Sequence, residues 1–265
     1  MAEVTMKSAD RRAYVMRMLS EKPAVTVAEL SKQFDISEVS VRKLLAAMER
    51  DGLIKRTWGG AASAFGSLRE LSFNEKLPKN LEAKQAIARV AYDCINDGEA
   101  IFLDNGTTTL ELAKLIAVGP KRNIMICTNT INIAMELAKA EDIPVMIAGG
   151  QLRHSIMSCV GPMCTSALDQ LVFDKCFTSC NRFSLEHGLS TPNIMEAEIK
   201  RKIIAVSKKS ILLVDFSKYG VDALVVIAPV TGVDTIITDG KIPLPIAHQL
   251  RSMGVELMIG ASGER

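Results

Sequence analysis

Val27 to Ala61 reads VAELSKQFDISEVSVRKLLAAMERDGLIKRTWGGA, and this stretch decides what the front of the 265-residue chain is. A short helix from Thr26 to Gln33 carries Val27 and Leu30 on one face and closes at Phe34, Asp35 and Ile36. The pattern restarts at once. Ser37 is placed to cap a helix whose apolar residues Val41, Leu44, Leu45 and Met48 fall at i, i+3, i+4 and i+7, leaving Ser40, Arg42, Lys43 and Ala46 largely off that face. Two short helices about a tight turn, the second opening with small polar and basic residues, suit a DNA major groove.

Outward from this pair, Gly52 stops the helix and Leu53-Ile54-Lys55-Arg56-Thr57-Trp58 alternates as a strand ending at Gly59-Gly60, a basic β wing. Upstream, Ser8–Ser20 reads as a first helix with Tyr14, Val15, Met18 and Leu19 at helical spacing, ended by Lys22 and Pro23. The front, residues 1–62, is therefore expected to be a winged helix-turn-helix. Arg42 and Lys43 project from the first turns of its third helix, where they reach guanine edges or phosphates, and Ser37 and Ser40 add hydroxyls. Lys55 and Arg56 suit backbone phosphates. Trp58 either closes the wing against the third helix or lies along the sugar-phosphate backbone.

Charge follows the same division. The net charge is only +2, but up to Glu70 there are 12 Lys and Arg against 9 Asp and Glu, and beyond it 20 against 21. A basic excess confined to a small module is the footprint of phosphate binding.

Ala61–Asn80, rich in Ala, Ser and Gly, reads as a hinge, with the linker set at 63–80. From 81 to 265 short apolar runs alternate with helical stretches. The runs are Ala100–Asp104, Ile124–Cys127, Val145–Ala148, Ile211–Asp215 and Thr235–Thr238; the helices are Glu82–Ile95, Thr108–Ile116, Thr130–Ala140 and Ile194–Lys208. This predicts an α/β domain with a largely parallel layered sheet, whose ligands gather at strand carboxyl ends. Polar turns stand there: Asp104-Asn105-Gly106-Thr107-Thr108-Thr109, Thr128-Asn129-Thr130, Gly149-Gly150-Gln151-Leu152-Arg153 and Asp215-Phe216-Ser217-Lys218. The first has the form of a phosphate cradle at a helix start, or of ordinary helix capping. Neither the dinucleotide fingerprint nor the Walker lysine loop is present, so no cofactor is expected. Arg153 and Lys218 would supply charge around one small anion.

Composition excludes other classes. With 48% hydrophobic and 23% charged residues the chain is globular. Its longest apolar run, Ala223–Ala228, falls far short of the roughly 18 residues that span a bilayer. Met1–Asp10 is polar and acidic, unlike a secretory signal, so the expected compartment is the cytoplasm. Six cysteines without a Cys-x-x-Cys pair make no disulfide scaffold. Cys159, Cys164, Cys176 and Cys180, between His154 and His187, read as buried thiols rather than a metal site.

Val27-Ala28-Glu29-Leu30, Phe34-Asp35-Ile36-Ser37, Val41-Arg42 and Gly52–Ala61 resemble the DNA-binding domain of the DeoR family of bacterial transcriptional regulators. Leu44 and Trp58 depart from its usual acid and His. The later segments are similar, in the same order, to the family's effector domain, which is like ribose-5-phosphate isomerase and binds sugar phosphates. The resemblance implies that Asp104, Gly106, Thr107, Thr108, Asn129, Gly149, Gly150, Arg153, Gly161 and Lys218 match the effector-pocket motifs; Thr109 joins them as the third hydroxyl of the first turn. Ser179-Cys180-Asn181-Arg182 stands where the family usually has glycines first and last, so Arg182 either reaches the ligand or blocks it.

The expectation is a DNA-binding regulator, a repressor of a carbohydrate catabolic operon, that grips a double-stranded operator as a homo-oligomer, dimer or tetramer, and responds to a phosphorylated sugar. The alternative is an aldose–ketose phosphate isomerase with an accessory DNA-binding domain and Asp104 as base. No catalytic residue and no metal are expected on the first reading.

Overall fold

The computed structural model of the protein describes residues 8–21, 24–51, 53–63 and 71–261. The chain divides into two compact units, Met1–Arg69 and Glu70–Arg265.

The front unit runs α1 (Ser8–Glu21), β1 (Ala24–Thr26), α2 (Val27–Phe34), α3 (Glu38–Arg50), β2 (Ile54–Thr57) and β3 (Gly60–Ser63). Thr26 caps α2 rather than joining it: its hydroxyl accepts the Glu29 N–H while the Glu29 carboxylate accepts the Thr26 N–H. The helix stops at Asp35, whose left-handed backbone (φ 50°) an aspartate tolerates, and the Ser31 hydroxyl donates to Ile36 O at 2.6 Å to close the turn. Ser37 then caps α3 by accepting the Ser40 N–H. The buried faces meet in one core of Val15, Leu30, Phe34, Val41, Leu45 and Met48, with Leu44 packed at its edge. Each such side chain contributes roughly 1.5–3 kcal/mol of burial.

The wing is larger than the single strand read from sequence. Among the described residues β1, β3 and β2 form a three-stranded antiparallel sheet, with β3 in the middle. Gly60 makes this possible, because a Cβ there would come within 2.0 Å of Val25 O.

The second unit runs α4 (Phe73–Lys76), α5 (Leu81–Asp93), β4 (Ala100–Leu103), α6 (Thr107–Val118), β5 (Met125–Thr128), α7 (Ile131–Leu137), β6 (Val145–Ile147), β7 (Gln151–Arg153), β8 (Ser158–Val160), α8 (Pro162–Ala167), β9 (Phe173–Thr178), β10 (Arg182–Ser184), β11 (Gly188–Thr191), α9 (Ile194–Ala205), β12 (Ser207–Leu213), β13 (Val225–Ala228), β14 (Thr235–Asp239), α10 (Leu244–Ser252) and β15 (Glu256–Gly260). Its centre, among the described residues, is a seven-stranded sheet ordered β15-β14-β12-β9-β4-β5-β6 in which every neighbouring pair is parallel. Side chains alternate across it. Ile101, Leu103, Ile126, Phe177 and Ile211 pack with α5, α6 and α7, whereas Phe102, Cys127 and Cys176 pack with Ile199 and Ile203 of α9. Burial on both faces explains why the inner strands read as apolar runs; the edge strand β6 exposes Met146 and Ile147.

Three expectations need correction. β9 lies between β4 and β12, yet its sequence was not read as a strand, because Asp174 and Lys175 interrupt the apolar run. Both charges sit at its amino end and are answered there: Asp174 accepts the Ala100 N–H at 2.9 Å, and Lys175 bonds Glu99 and Cys94 O. A small sheet, β10-β11-β13, and the hairpin β7-β8 were also unread. The expected linker, 63–80, is too long at its carboxyl end. Residues 64–70 lie outside the described residues, but Phe73 is buried in the second unit's core and its N–H donates to Ser155 O at 2.7 Å.

Candidate functional site

In the front unit α3 presents Lys43 exposed, with Arg42 beside it paired to Glu38 one turn earlier, at 2.7 Å. Such an exposed pair is worth only about 0.3–0.5 kcal/mol, so a phosphate or base edge competes for this guanidinium easily. The Ser37 and Ser40 hydroxyls face each other at 3.0 Å at the head of the helix. Lys55 and Arg56 are exposed on β2. Trp58 is fully exposed at the hairpin tip, which corrects the reading of it as a core residue.

In the second unit the chain order reverses at the sheet's middle. From β4 the sheet grows through β5 to β6 on one side, and from β9 through β12 to β15 on the other. Parallel sheets open a crevice at the carboxyl ends beside such a switch point. A cleft of about 470 Å³, counted out to its solvent mouth, lies there. Asn105, Gly106, Thr107 and Thr108 line it after β4, Ser179, Cys180 and Asn181 after β9, and Asp215 and Lys218 after β12. Phe73 and Lys76 of α4, Ile156, Glu196, Leu213 and Val214 complete it.

A Cβ at Gly106 would lie 2.9 Å from both Ser179 Oγ and Thr109 Oγ1, so a larger residue where β4 enters α6 would have to displace those two side chains. No side chain caps α6, so its first N–H groups and the helix dipole are free to meet an anion. Lys218, whose backbone N–H donates to Asp215 O, adds a cation whose side chain makes no ion pair or hydrogen bond among the described residues. Burial holds its pKa below the usual lysine value, against the opposing pull of Asp215.

Beneath the cleft lies a buried charge network. Lys200 is fully buried and donates to Asp104 Oδ2 at 2.5 Å and Asn105 Oδ1 at 2.7 Å, with Glu196 Oε1 at 3.7 Å. Burial alone would lower its pKa; Asp104 and Glu196 outweigh that and hold it above the usual value. Burial likewise pushes Glu196 up, and Lys200 and Lys76 bring it below the normal range. Asp104 also accepts from the Thr178 hydroxyl at 2.7 Å.

The residues expected at the site therefore separate. Gly106, Thr107, Thr108 and Lys218 line the cleft. Asp104 does not line it and is held by Lys200 at 2.5 Å. Thr109 is wholly buried, with its hydroxyl unpartnered. Asn129 is buried and donates to Cys159 O at 2.9 Å, tying β5 to β8. Gly149 and Gly150 precede β7, and Gly161 heads α8; none lines the cleft. Arg153 pairs with Glu196 at 3.3 Å, so it reaches the cleft through that carboxylate. Arg182 stands behind Asn181, bonding its backbone oxygen at 3.1 Å, with its Nε buried and unpartnered; it neither lines nor fills the cleft.

Sequence reading quoted Asn105, Ser179 and Asn181 only as members of turns, and missed Lys76, Glu196 and Lys200. A signal existed for the last pair. On α9, Glu196 and Lys200 share a face with Ile199 and Ile203, so two charges occupy core positions. Among the described residues no group of three or more ligating side chains converges. Burial pushes Cys127, Cys164, Cys176 and Cys180 up to about 12, which leaves them unreactive. No described helix is long and apolar enough to cross a membrane.

A helix-turn-helix unit joined to an α/β unit with an anion-suited cleft defines a ligand-sensing transcriptional regulator. The chain matches the DeoR-like helix-turn-helix domain over residues 11–65 and the DeoR C terminal sensor domain over residues 79–240. It belongs to the DeoR family. It is 33% identical over 258 residues to the HTH-type transcriptional regulator GlpR of Haloferax volcanii, spanning 97% of this chain and all of that one. With the transcriptional repressor AccR of Agrobacterium fabrum it shares 30% over 231 residues, 87% of this chain and 89% of the other. A solved structure it resembles is ribose 5-phosphate isomerase A from Methanocaldococcus jannaschii, at 17% identity and TM-score 0.40, covering 54% of this chain and 56% of that one.

Proposed function

We propose that the chain represses a carbohydrate catabolic operon and that a phosphorylated sugar in the cleft of the second unit changes its hold on DNA. The observation that carries this is Lys218: a half-buried ammonium whose side chain has no ion pair or hydrogen bond among the described residues, in the same cleft as the uncapped amino end of α6. A phosphate answers both, and Asn181 and Glu196 offer hydrogen-bonding groups for sugar hydroxyls. Ser37, Ser40, Arg42 and Lys43 read the operator and Lys55 and Arg56 hold its backbone. Two or four copies act together, since one recognition helix contacts too little DNA to bind tightly. The protein works beside its DNA in the cytoplasm. It is no enzyme on this reading, because an isomerase needs a free carboxylate against the substrate's carbon-bound proton, and Asp104 and Glu196 are both held in ion pairs.

The test is a thermal-shift screen of sugar phosphates against the matching free sugars, followed by gel shifts on DNA upstream of the gene. Phosphorylated sugars alone should raise Tm, and Lys218→Met should abolish the rise while leaving the ligand-free Tm close to that of the parent. A rise with free sugars equal to that with their phosphates refutes the assignment.

A further inference from the structure

The only tryptophan of the chain is spent outside any core. Trp58 is fully exposed, at 105%, and among the described residues no ring, cation or hydrogen-bonding group meets it. Its support, by contrast, is firm. Thr57 pairs with Gly60, so Trp58 and Gly59 make a two-residue turn, with Gly59 at φ 84°. The Val27 N–H donates to Gly59 O at 2.8 Å, bracing that turn against the start of α2, and Gly60 packs on Val25. A rigid hairpin thus holds an indole in water, beside the exposed cations Lys55 and Arg56. An aromatic ring normally buries 150–250 Å² on something.

We infer that Trp58 is the wing's apolar contact with duplex DNA, packing on deoxyribose and base edges of the minor groove that flanks the site read by α3. This rests on the reading that the front unit grips DNA. Two features select the partner. The neighbouring charges are basic and suit a polyanion. β2 carries the tip about 13 Å along its own length at 3.3 Å per residue, on the scale of the step from one groove to the next. Apolar side chains beside Arg and Lys are what minor-groove binders insert. The contact is non-ionic, so it adds affinity without releasing counterions.

Because Trp58 is the only indole, its emission reports this contact alone. The full-length protein is titrated with a duplex trimmed to the footprint it leaves upstream of its own gene. Emission should change and saturate together with the gel shift. Trp58→Ala should weaken binding roughly tenfold, in the range of aromatic stacking, with the slope of log K against log salt unchanged; Trp58→Phe should keep most of the affinity. Emission unaltered at saturation, or parental affinity in Trp58→Ala, overturns the inference. So does a flatter salt slope in Trp58→Ala, which would make the contact ionic. A parent protein that binds no duplex at all defeats the underlying reading instead.

Discussion

At the scale of single residues, the two kinds of DNA contact offered by the front unit ought to behave differently. Arg42 leaves α3 near its head and is restrained only by its surface pair with Glu38, whereas Lys55 stands exposed on β2. Removing Arg42 as Arg42→Ala should cost about 1–3 kcal/mol on the operator and little on unrelated DNA. Lys55→Ala should weaken all duplexes alike and reduce the salt slope by about one. Competition gel shifts at two salt concentrations separate them, and equal losses on operator and random DNA in both variants would remove the division of labour. Residue identity was the best-read level of the sequence in this unit. Ser37 and Gly60 each announce a local geometry by themselves, one by capping and one by close approach.

Among the elements, α4 is the one whose neighbours matter most. It supplies Phe73 and Lys76 to the cleft, and Lys84 of α5 donates to its last carbonyls, Lys76 O at 2.5 Å and Leu77 O at 3.1 Å. Burial, aided by Lys218, lowers Lys84 to about 8 from 10.5. The unfolded chain therefore holds this proton at pH values where the folded one releases it, so stability should rise as pH climbs from about 7 towards 10. The full shift corresponds to at most about 3 kcal/mol. The buried thiols act oppositely: their folded values near 12 exceed the 9.0 of a free thiol, so what they contribute is lost above pH 9. Urea midpoints should climb between pH 7 and 9 and then fall, and Lys84→Met should reduce the climb to the part that Lys218, whose pKa burial also lowers, contributes. A climb undiminished in Lys84→Met assigns it to another group.

This level was also where reading the sequence was least complete. β4, β5, β12 and β14 showed themselves as apolar runs because both faces of the sheet are covered there, whereas β6 is apolar in sequence yet exposes Met146 and Ile147 at the sheet's edge. β9 was hidden by two charges that sit at its end, and the antiparallel strands β10 and β11 are three and four residues long, too short for a period to emerge. The cleft was legible at Gly106–Thr108 and Lys218, where turn chemistry is local. Glu196 lines it, and Lys200 lies beneath it, from a helix nearly a hundred positions downstream of Asp104, and only tertiary packing brings them there.

For the whole molecule the expectation is separability: the DNA face and the cleft belong to different units. Thr108→Asp places a carboxylate at the amino end of α6, where a phosphate would lie. It should abolish the Tm rise with sugar phosphate while the ligand-free protein binds its operator as before. Coupling between the two events of about 1–3 kcal/mol corresponds to a 5- to 150-fold change in DNA affinity, measurable by titrating operator with and without ligand. Loss of operator binding in the same variant would show that the units do not act independently.

The pairing of Asp104 with Lys200 has a consequence for descent. Removing one partner strands the other's charge in the interior at a cost of about 3–5 kcal/mol, a large part of the 5–15 kcal/mol that keeps a typical domain folded. Two codons 96 positions apart are therefore bound into a single heritable unit, and a lineage that drifts at one must exchange both or neither.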